Sequence, residues 1–380
     1  MCRNWCASLL LFFFFLRSTA AAGAAAPLPE VTADAAALLD ARTGAILYAQ
    51  APYEHRPPAS TTKILTAIIA LEKGRLTDIV TISPYASWTE GSSIYLRQGE
   101  RVTLEELIWG ALLESGNDAC VAIAEYLAGS EEAFARLQNN KARAIGAWDT
   151  HFVNPHGLPD PNHYTTAYDL ATIARYALKN PKFKEIVRAR EKELFGPEGS
   201  RSFISTNRLL WSYSGADGVK TGTTSEAGQC LVASATREGR QLVAVVLHSD
   251  DRWSDAAVLL DYGYAETRLL KPARAGEIVN LRVSNGLEQV LPARLEKDLF
   301  VVVPPDKVDR LEKQVEAKAL RAPIVRGQKV GRVNIVLDGE TIGSCDLIAA
   351  GSVASRTFAS WFVWRVYRPL LVELRKLRLL

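Results

Sequence analysis

The sequence predicts a large α/β (α+β) domain with helices and a mostly antiparallel sheet. A small all-β domain and a C-terminal amphipathic helix follow. Three observations carry this prediction. Apolar strand-like runs near residues 35–50 and 229–248 enclose a series of helical periods, so distant parts of the chain must close one sheet. From Lys271 to about Ser352 the texture changes to short Val-rich runs between polar turns. From residue 353 onward, aromatic and leucine side chains alternate with arginines at helical spacing.

The N-terminus reads as a secretory signal peptide over residues 1–26. Arg3 precedes the run Leu9-Leu10-Leu11 and Phe12 to Phe15, and an Ala-rich stretch from Ala20 to Ala26 supplies small-residue cleavage sites. The apolar run is too short to span a bilayer as a helix. The expected organisation is residues 27–268 for the large domain, 269–352 for the β-rich domain and 353–380 for the helix.

Within the large domain the elements follow from period and punctuation. Residues 35–40 and 45–50 flank Arg42-Thr43-Gly44 and read as a hairpin. Residues 60–73 read as a helix, with Ile64, Leu65, Ile68, Ile69 and Leu71 apolar and Gly74 beyond its end. Thr103 and Glu106 make a capping box for a helix carrying Leu107, Ile108, Ala111 and Leu112. Another helix runs from Ser115-Gly116-Asn117 to about Leu127, and residues 167–179 form a further one before Asn180-Pro181. Residues 229–236 and 241–248 are two buried strands joined by Arg237-Glu238-Gly239-Arg240. In the second domain, Ile278 to Val283, Phe300 to Val303 and Val333 to Leu337 are strand candidates.

The formal net charge is +3, and it is unevenly placed. Losing the first 26 residues leaves +1; residues 353–380 alone carry +5, so the body between is about −4. A slightly acidic body gives no basis for a nucleic-acid partner. After Cys2 and Cys6 leave with the signal peptide, Cys120, Cys230 and Cys345 remain, an odd number without C-x-x-C spacing. This implies neither a disulfide framework nor a metal site, and no cofactor motif is present.

Three short stretches carry the chemistry. They are Ser60-Thr61-Thr62-Lys63, Ser115-Gly116-Asn117 and Lys220-Thr221-Gly222. Ser60 follows Pro57-Pro58-Ala59 at a helix start, where free N–H groups and the helix dipole favour developing negative charge. Lys63, three residues on, shares its face. A lysine amine activates a serine only when neutral, and burial beside another cation such as Lys220 lowers its pKa. Ser115 and Asn117 lie between two helices, where a hydroxyl can relay a proton and a carboxamide can hold a substrate carbonyl. Lys220-Thr221-Gly222 reads as an edge strand to which a peptide can add. Lys220 and Thr221 would bind a carboxylate there, and Gly222 would let the substrate backbone approach. The N–H groups of Ser60 and Thr223 can together form an oxyanion hole.

These motifs, in this order, resemble the serine-type D-alanyl-D-alanine carboxypeptidases, the low-molecular-mass penicillin-binding proteins of the active-site serine penicillin-recognising superfamily. Phe152-Val153-Asn154-Pro155-His156-Gly157-Leu158 and Asp217-Gly218-Val219 extend the match, which covers roughly residues 30–350. The resemblance implies a penicillin-binding/β-lactamase-like catalytic domain, a β-rich domain and a membrane anchor. It implies an enzyme that removes the terminal D-alanine from peptidoglycan stem peptides ending in D-Ala-D-Ala, through a Ser60 acyl-enzyme that β-lactams also form. Ser60, Lys63 and Ser115 would be catalytic, and Asn117, Lys220, Thr221, Gly222, Thr223 and Arg252 would bind substrate. Arg252 matches a family arginine that holds the terminal carboxylate, although Arg237 and Arg240 stand nearby in sequence. Thr223 departs from members that carry His there. A serine β-lactamase shares the three motifs, but no segment suggests its deacylating glutamate. Endopeptidases and transpeptidases share the acyl-enzyme and differ in the acceptor.

Outside the motifs, His151, His156 and His163 read as loop packing, and Cys120 as a small buried residue. In the tail, Phe358, Trp361, Phe362, Trp364, Val366 and Tyr367 alternate with Arg356, Arg365 and Arg368. This pattern suits a helix lying on an anionic membrane surface, with Pro369 dividing it. The expected location is therefore the outer face of the cytoplasmic membrane.

Overall fold

Strand Ala35–Asp40 is buried at all six positions, so the sheet it belongs to is covered on both faces. In the computed structural model, which describes residues 27–357, 362–367 and 369, this strand sits inside a five-stranded antiparallel sheet. The order across the sheet is Ile46–Gln50, Ala35–Asp40, Arg240–Ser249, Gly228–Arg237, Ala216–Thr224. Every pairing is antiparallel, and the central strands come from opposite ends of the domain, with Ala35 opposite Leu247. Ala216–Thr224 is an edge of the sheet.

Side-chain alternation divides the core in two. Ala35, Ala37, Leu39, Val243, Val245 and Leu247 join one cluster with the helices Lys63–Lys73, Leu104–Leu113 and Ala167–Ala177. Ala36, Leu38, Leu242, Ala244 and Val246 face the opposite way, onto Leu259 and Leu260 of the helix Arg252–Glu266. The result is a helix–sheet–helix sandwich.

The expected helix over 60–73 is two elements. Ala59–Thr62 is a 3-10 turn, and the α-helix begins at Lys63. Thr61 explains the tighter turn, because its N–H and its hydroxyl both donate to the Pro58 carbonyl. The capping box forms as expected, Thr103 and Glu106 exchanging hydrogen bonds at the head of Leu104–Leu113. The helix after Ser115 spans Asn117–Ala128 and closes at Gly129, whose φ of +82° is left-handed. A solvent-facing hairpin, Glu191–Gly196 with Gly199–Ile204, is an addition that the apolar pattern does not announce.

The β-rich domain, with a core of its own, begins at Arg268–Ala273, which pairs with Leu299–Val303. A six-stranded sheet follows, built around Lys329–Leu337 and Glu340–Ala349. Leu281, Leu291, Ala293, Val333, Ile335 and Leu347 fill its interior. Arg42 of the large domain lies over the ring of Phe300 at 4.5 Å, fixing one contact between the two units. The signal-peptide segment and most of the tail lie outside the described residues. Of the tail, Val363–Tyr367 is helical, and Phe362, Val363, Val366 and Tyr367 are exposed.

Candidate active site

Side chains three apart on a 3-10 turn eclipse one another. That is why Ser60 and Lys63 meet: Lys63 Nζ stands 2.8 Å from Ser60 Oγ. The same amine lies 2.7 Å from Asn117 Oδ1 and 2.8 Å from the carbonyl oxygen of His156. These two oxygens can only accept. A neutral amine therefore uses its two N–H groups on them and aims its lone pair at the Ser60 hydroxyl. Lys63 is completely buried, and burial pulls its pKa down to about 8. Cys120 and Asp118 act in the opposite sense. Cys120 itself is buried and its pKa is pushed up to about 12 by burial, so it is a neutral thiol.

Each partner of Lys63 is itself anchored. Asn117 Nδ2 donates to the Glu90 carbonyl at 2.6 Å. Asp118 accepts from the backbone N–H groups of Ile94 and Leu96 and from Ser93 Oγ, tying the 90s loop to the head of the Asn117 helix. His156 Nδ1 accepts from the N–H of Leu158, so the proton is on Nε2, which donates to Glu131 Oε2 at 3.1 Å. The other Glu131 oxygen accepts from Tyr85 Oη at 2.8 Å. His163 is neutral, its pKa taken to about 3 by burial, and its ring bonds Thr62 Oγ1 at 2.9 Å.

The edge strand passes directly beside the serine. A Cβ placed on Gly222 would stand 3.0 Å from Ser60 N, Ala59 Cβ and the Pro58 carbonyl oxygen, so glycine permits this approach. Lys220 is buried, and its pKa falls well below the ordinary range, first through burial and then through Lys63. Lys220 Nζ has one partner among the described residues, the Thr221 carbonyl at 3.0 Å. Thr221 Oγ1 bonds Thr206 Oγ1 at 2.7 Å. Arg252 Nη1 donates to the Gly222 carbonyl at 2.8 Å and to Thr223 Oγ1 at 2.7 Å. Arg237 pairs with Asp261 and Arg240 with Asp40, so of the three arginines Arg252 is the one bonded to this strand. Ser115 is buried with φ of +67°, an unusual conformation for a non-glycine residue. Among the described residues its hydroxyl has no hydrogen-bond partner, so no direct bond to Lys63 is present.

Residues 20–251 match the D-alanyl-D-alanine carboxypeptidase family, peptidase S11. The chain belongs to that family. Residues 268–355 match the C-terminal domain of penicillin-binding protein 5. The chain is 33% identical over 350 residues to the D-alanyl-D-alanine carboxypeptidase DacF of Bacillus subtilis, spanning 87% of this chain and 90% of that protein. It is also 33% identical over 350 residues to DacA of Escherichia coli, covering 87% of this chain and 86% of that one. Among solved structures, penicillin-binding protein 5 of Haemophilus influenzae superposes with a TM-score of 0.78 at 32% identity, over 87% of this chain and 99% of the other.

For this carboxypeptidase-family member, the sequence-derived residues fall into two groups. Ser60, Lys63 and Asn117 share one amine, and Gly222, Thr223 and Arg252 form one bonded strip beside Ser60. Ser115, Lys220 and Thr221 are buried beside them without a direct bond to Ser60. Sequence reasoning missed the carbonyls of His156 and Glu90, the Glu131 carboxylate and Thr206. Backbone carbonyls carry no residue signature. The one available signal was the segment Asn154-Pro155-His156-Gly157-Leu158, whose place in the family pattern marks a loop without saying what it holds.

Proposed function

We propose that this chain is a serine D-alanyl-D-alanine carboxypeptidase in which Ser60 forms the acyl-enzyme and Lys63 is its base. The observation that carries the reading is the threefold environment of Lys63 Nζ, in which two obligate acceptors leave the lone pair for Ser60. The Ser60 proton passes to Lys63 as Oγ attacks the carbonyl between the last two D-alanines. The negative oxygen is held by the N–H groups of Ser60 and Thr223. The departing D-alanine amine takes the proton, with the Ser115 hydroxyl as relay, and water then releases the shortened peptide by the same route reversed. The stem peptide pairs with the edge strand Ala216–Thr224, with Asn117 toward a substrate amide and Lys220, Thr221 and Arg252 toward the terminal carboxylate. A β-lactam acylates the same serine.

The leader over residues 1–26 exports the chain, and the tail from residue 353 rests on the outer face of the cytoplasmic membrane. The cationic and aromatic composition of that tail supports this placement. No helix among the described residues is long and apolar enough to cross a bilayer.

Mass spectrometry after incubation with penicillin, with D-alanine release assayed in parallel, tests the proposal. One adduct on Ser60 is expected, and Ser60→Ala should lose both adduct and release. An adduct on another residue of the wild-type chain would overturn the assignment.

A further inference from the structure

The β-rich domain has one end with a distinct charge pattern. Residues 317–331 contain Lys318, Arg321, Arg326 and Lys329 and no Asp or Glu. The side chains alternate there. Ala322 and Ile324 are buried in the domain core, which leaves Arg321, Pro323 and Val325 facing out, Val325 being 65% exposed. Lys329 is paired with Asp346. Lys318, Arg321 and Arg326 are exposed and have no ion pair among the described residues. The nearest carboxylates along the chain are Glu316, engaged with Asn334 Nδ2, and Asp338, paired with Lys307 and Arg310, while Glu288 is exposed on the turn beside the root of the tail.

The root of the tail is fixed to this same end. Val353 is buried and exchanges both backbone hydrogen bonds with Ile324 at 2.9 Å. Arg356 N donates to the Asn285 carbonyl at 2.8 Å, Leu287 N to the Ala354 carbonyl at 3.0 Å, and Arg326 N to Ser352 Oγ at 2.9 Å. Arg356 is exposed and adds a further cation. Phe362, the first exposed aromatic beyond it among the described residues, is six positions on, so it lies within about 20 Å even at full extension. The contact with the large domain is elsewhere on the same strands. Gly343 lines the junction near Phe300 and Arg42. Along that strand pair, the step from Ile335 opposite Gly343 to Lys329 opposite Ile348 is about 20 Å toward the cationic end.

We propose that Lys318, Arg321, Arg326 and Arg356 form a second membrane contact, an electrostatic foot for anionic lipid headgroups beside the point where the tail leaves the domain. This deepens the reading of the tail as an anchor and rests on it. A tail lying in the headgroup region brings its own root to the surface, and the root carries these cations with it. Exposed cations around a single exposed valine suit a shallow contact with headgroups. Two contacts on one rigid domain also set its tilt, which a single amphipathic helix does not. The site would then be held at a defined height above the bilayer.

The test compares two variants of the full chain on vesicles of phosphatidylcholine with and without phosphatidylglycerol. In Lys318→Gln/Arg321→Gln/Arg326→Gln, binding to the anionic vesicles should fall at least tenfold, since each cation near anionic lipid contributes roughly fivefold. Its salt dependence should also become shallower. D-Alanine release from a soluble peptide and the melting temperature should not change, because all three residues are exposed and remote from Ser60. Phe362→Glu/Val366→Glu reads the tail separately. Loss of binding in both variants supports the foot. Loss only in the tail variant overturns the foot and leaves the anchor standing. If neither variant loses binding, both readings fail. A triple variant that loses affinity for soluble polyphosphate but not for vesicles would assign the cations to a dissolved polyanion and overturn the headgroup contact.

Discussion

The amine of Lys63 is bonded to the backbone carbonyl of His156 at 2.8 Å, and the two residues lie on elements 93 positions apart. The His156 ring is fixed in turn by Glu131 at 3.1 Å, and Glu131 by Tyr85. Glu131 therefore acts on Lys63 through one imidazole and one peptide unit. Glu131→Ala should leave the buried Nε2–H of His156 unsatisfied, at a cost of about 1–3 kcal/mol. Part of that loss should appear as a slower acylation by penicillin, about tenfold. Glu131→Gln retains an acceptor and should recover most of the rate. Stopped-flow acylation and melting curves on both variants check this. Equal rates for the alanine and glutamine variants would show that Glu131 serves stability alone.

The lowered pKa of Lys63 sets a pH dependence. A folded-state value of about 8 means the amine is mostly protonated at neutral pH and gains its lone pair as pH rises. Acylation should therefore increase about tenfold per unit below that value and level off above it. Lys220 is close enough to titrate with Lys63, so the midpoint belongs to the pair. Removing the second cation in Lys220→Gln should move the midpoint upward, because Lys63 can then carry its charge more easily. Rates with a neutral-range buffer series would show this. A profile that falls with rising pH between 6 and 8 would remove Lys63 from the role of base.

Much of this arrangement is legible in the sequence, and the reason is local geometry. A Ser and a Lys three apart at a turn share one face, whatever the rest of the fold does. The capping box of Thr103 and Glu106 and the glycine stop at Gly129 are likewise decided within four residues. The central strands are legible because they are apolar on both faces, and the hairpin turns beside them imply antiparallel pairing. What stayed hidden depends on long-range partners. The start of the α-helix slipped to Lys63 because the Pro58 carbonyl draws in Thr61. The hairpin Glu191–Ile204 is mostly polar and outward, so it has little apolar period. Arg252 could not be separated from Arg237 and Arg240 by sequence distance, and only their carboxylate partners distinguish them.

Gly157 offers a test of the scaffold. Its φ is +92°, and a Cβ added there would stand 1.9 Å from the carbonyl oxygen of Ala59, the residue before the serine. Ala59 also has positive φ, so the turn has little room to yield. Gly157→Ala should destabilise the protein by more than about 1 kcal/mol through its backbone conformation alone, with the clash added. Acylation should fall more steeply than stability, since the displaced atoms adjoin Ser60. Urea denaturation and penicillin labelling of the folded fraction measure the two effects. A variant with normal labelling and normal stability would mean that the loop does not press on the serine turn.

Arg252 is the most informative position for substrate recognition. Its Nη1 is committed to the Gly222 carbonyl and to Thr223 Oγ1, yet no carboxylate among the described residues neutralises it. A cation bonded along the sheet edge beside Ser60 suits the free carboxylate of a terminal D-alanine. Charge-assisted hydrogen bonds of this kind contribute roughly 1.5–3 kcal/mol each. Arg252→Ala should therefore lower kcat/KM on a peptide ending in D-Ala-D-Ala by about tenfold to a hundredfold. The same peptide with an amidated terminus should lose little, because it has no charge to hold. Lys220→Ala should share the preference, but it should also slow acylation by penicillin through its field on Lys63. If Arg252→Ala reduces the free and amidated peptides equally, the arginine supports the strand through Gly222 and Thr223, and the carboxylate is held elsewhere.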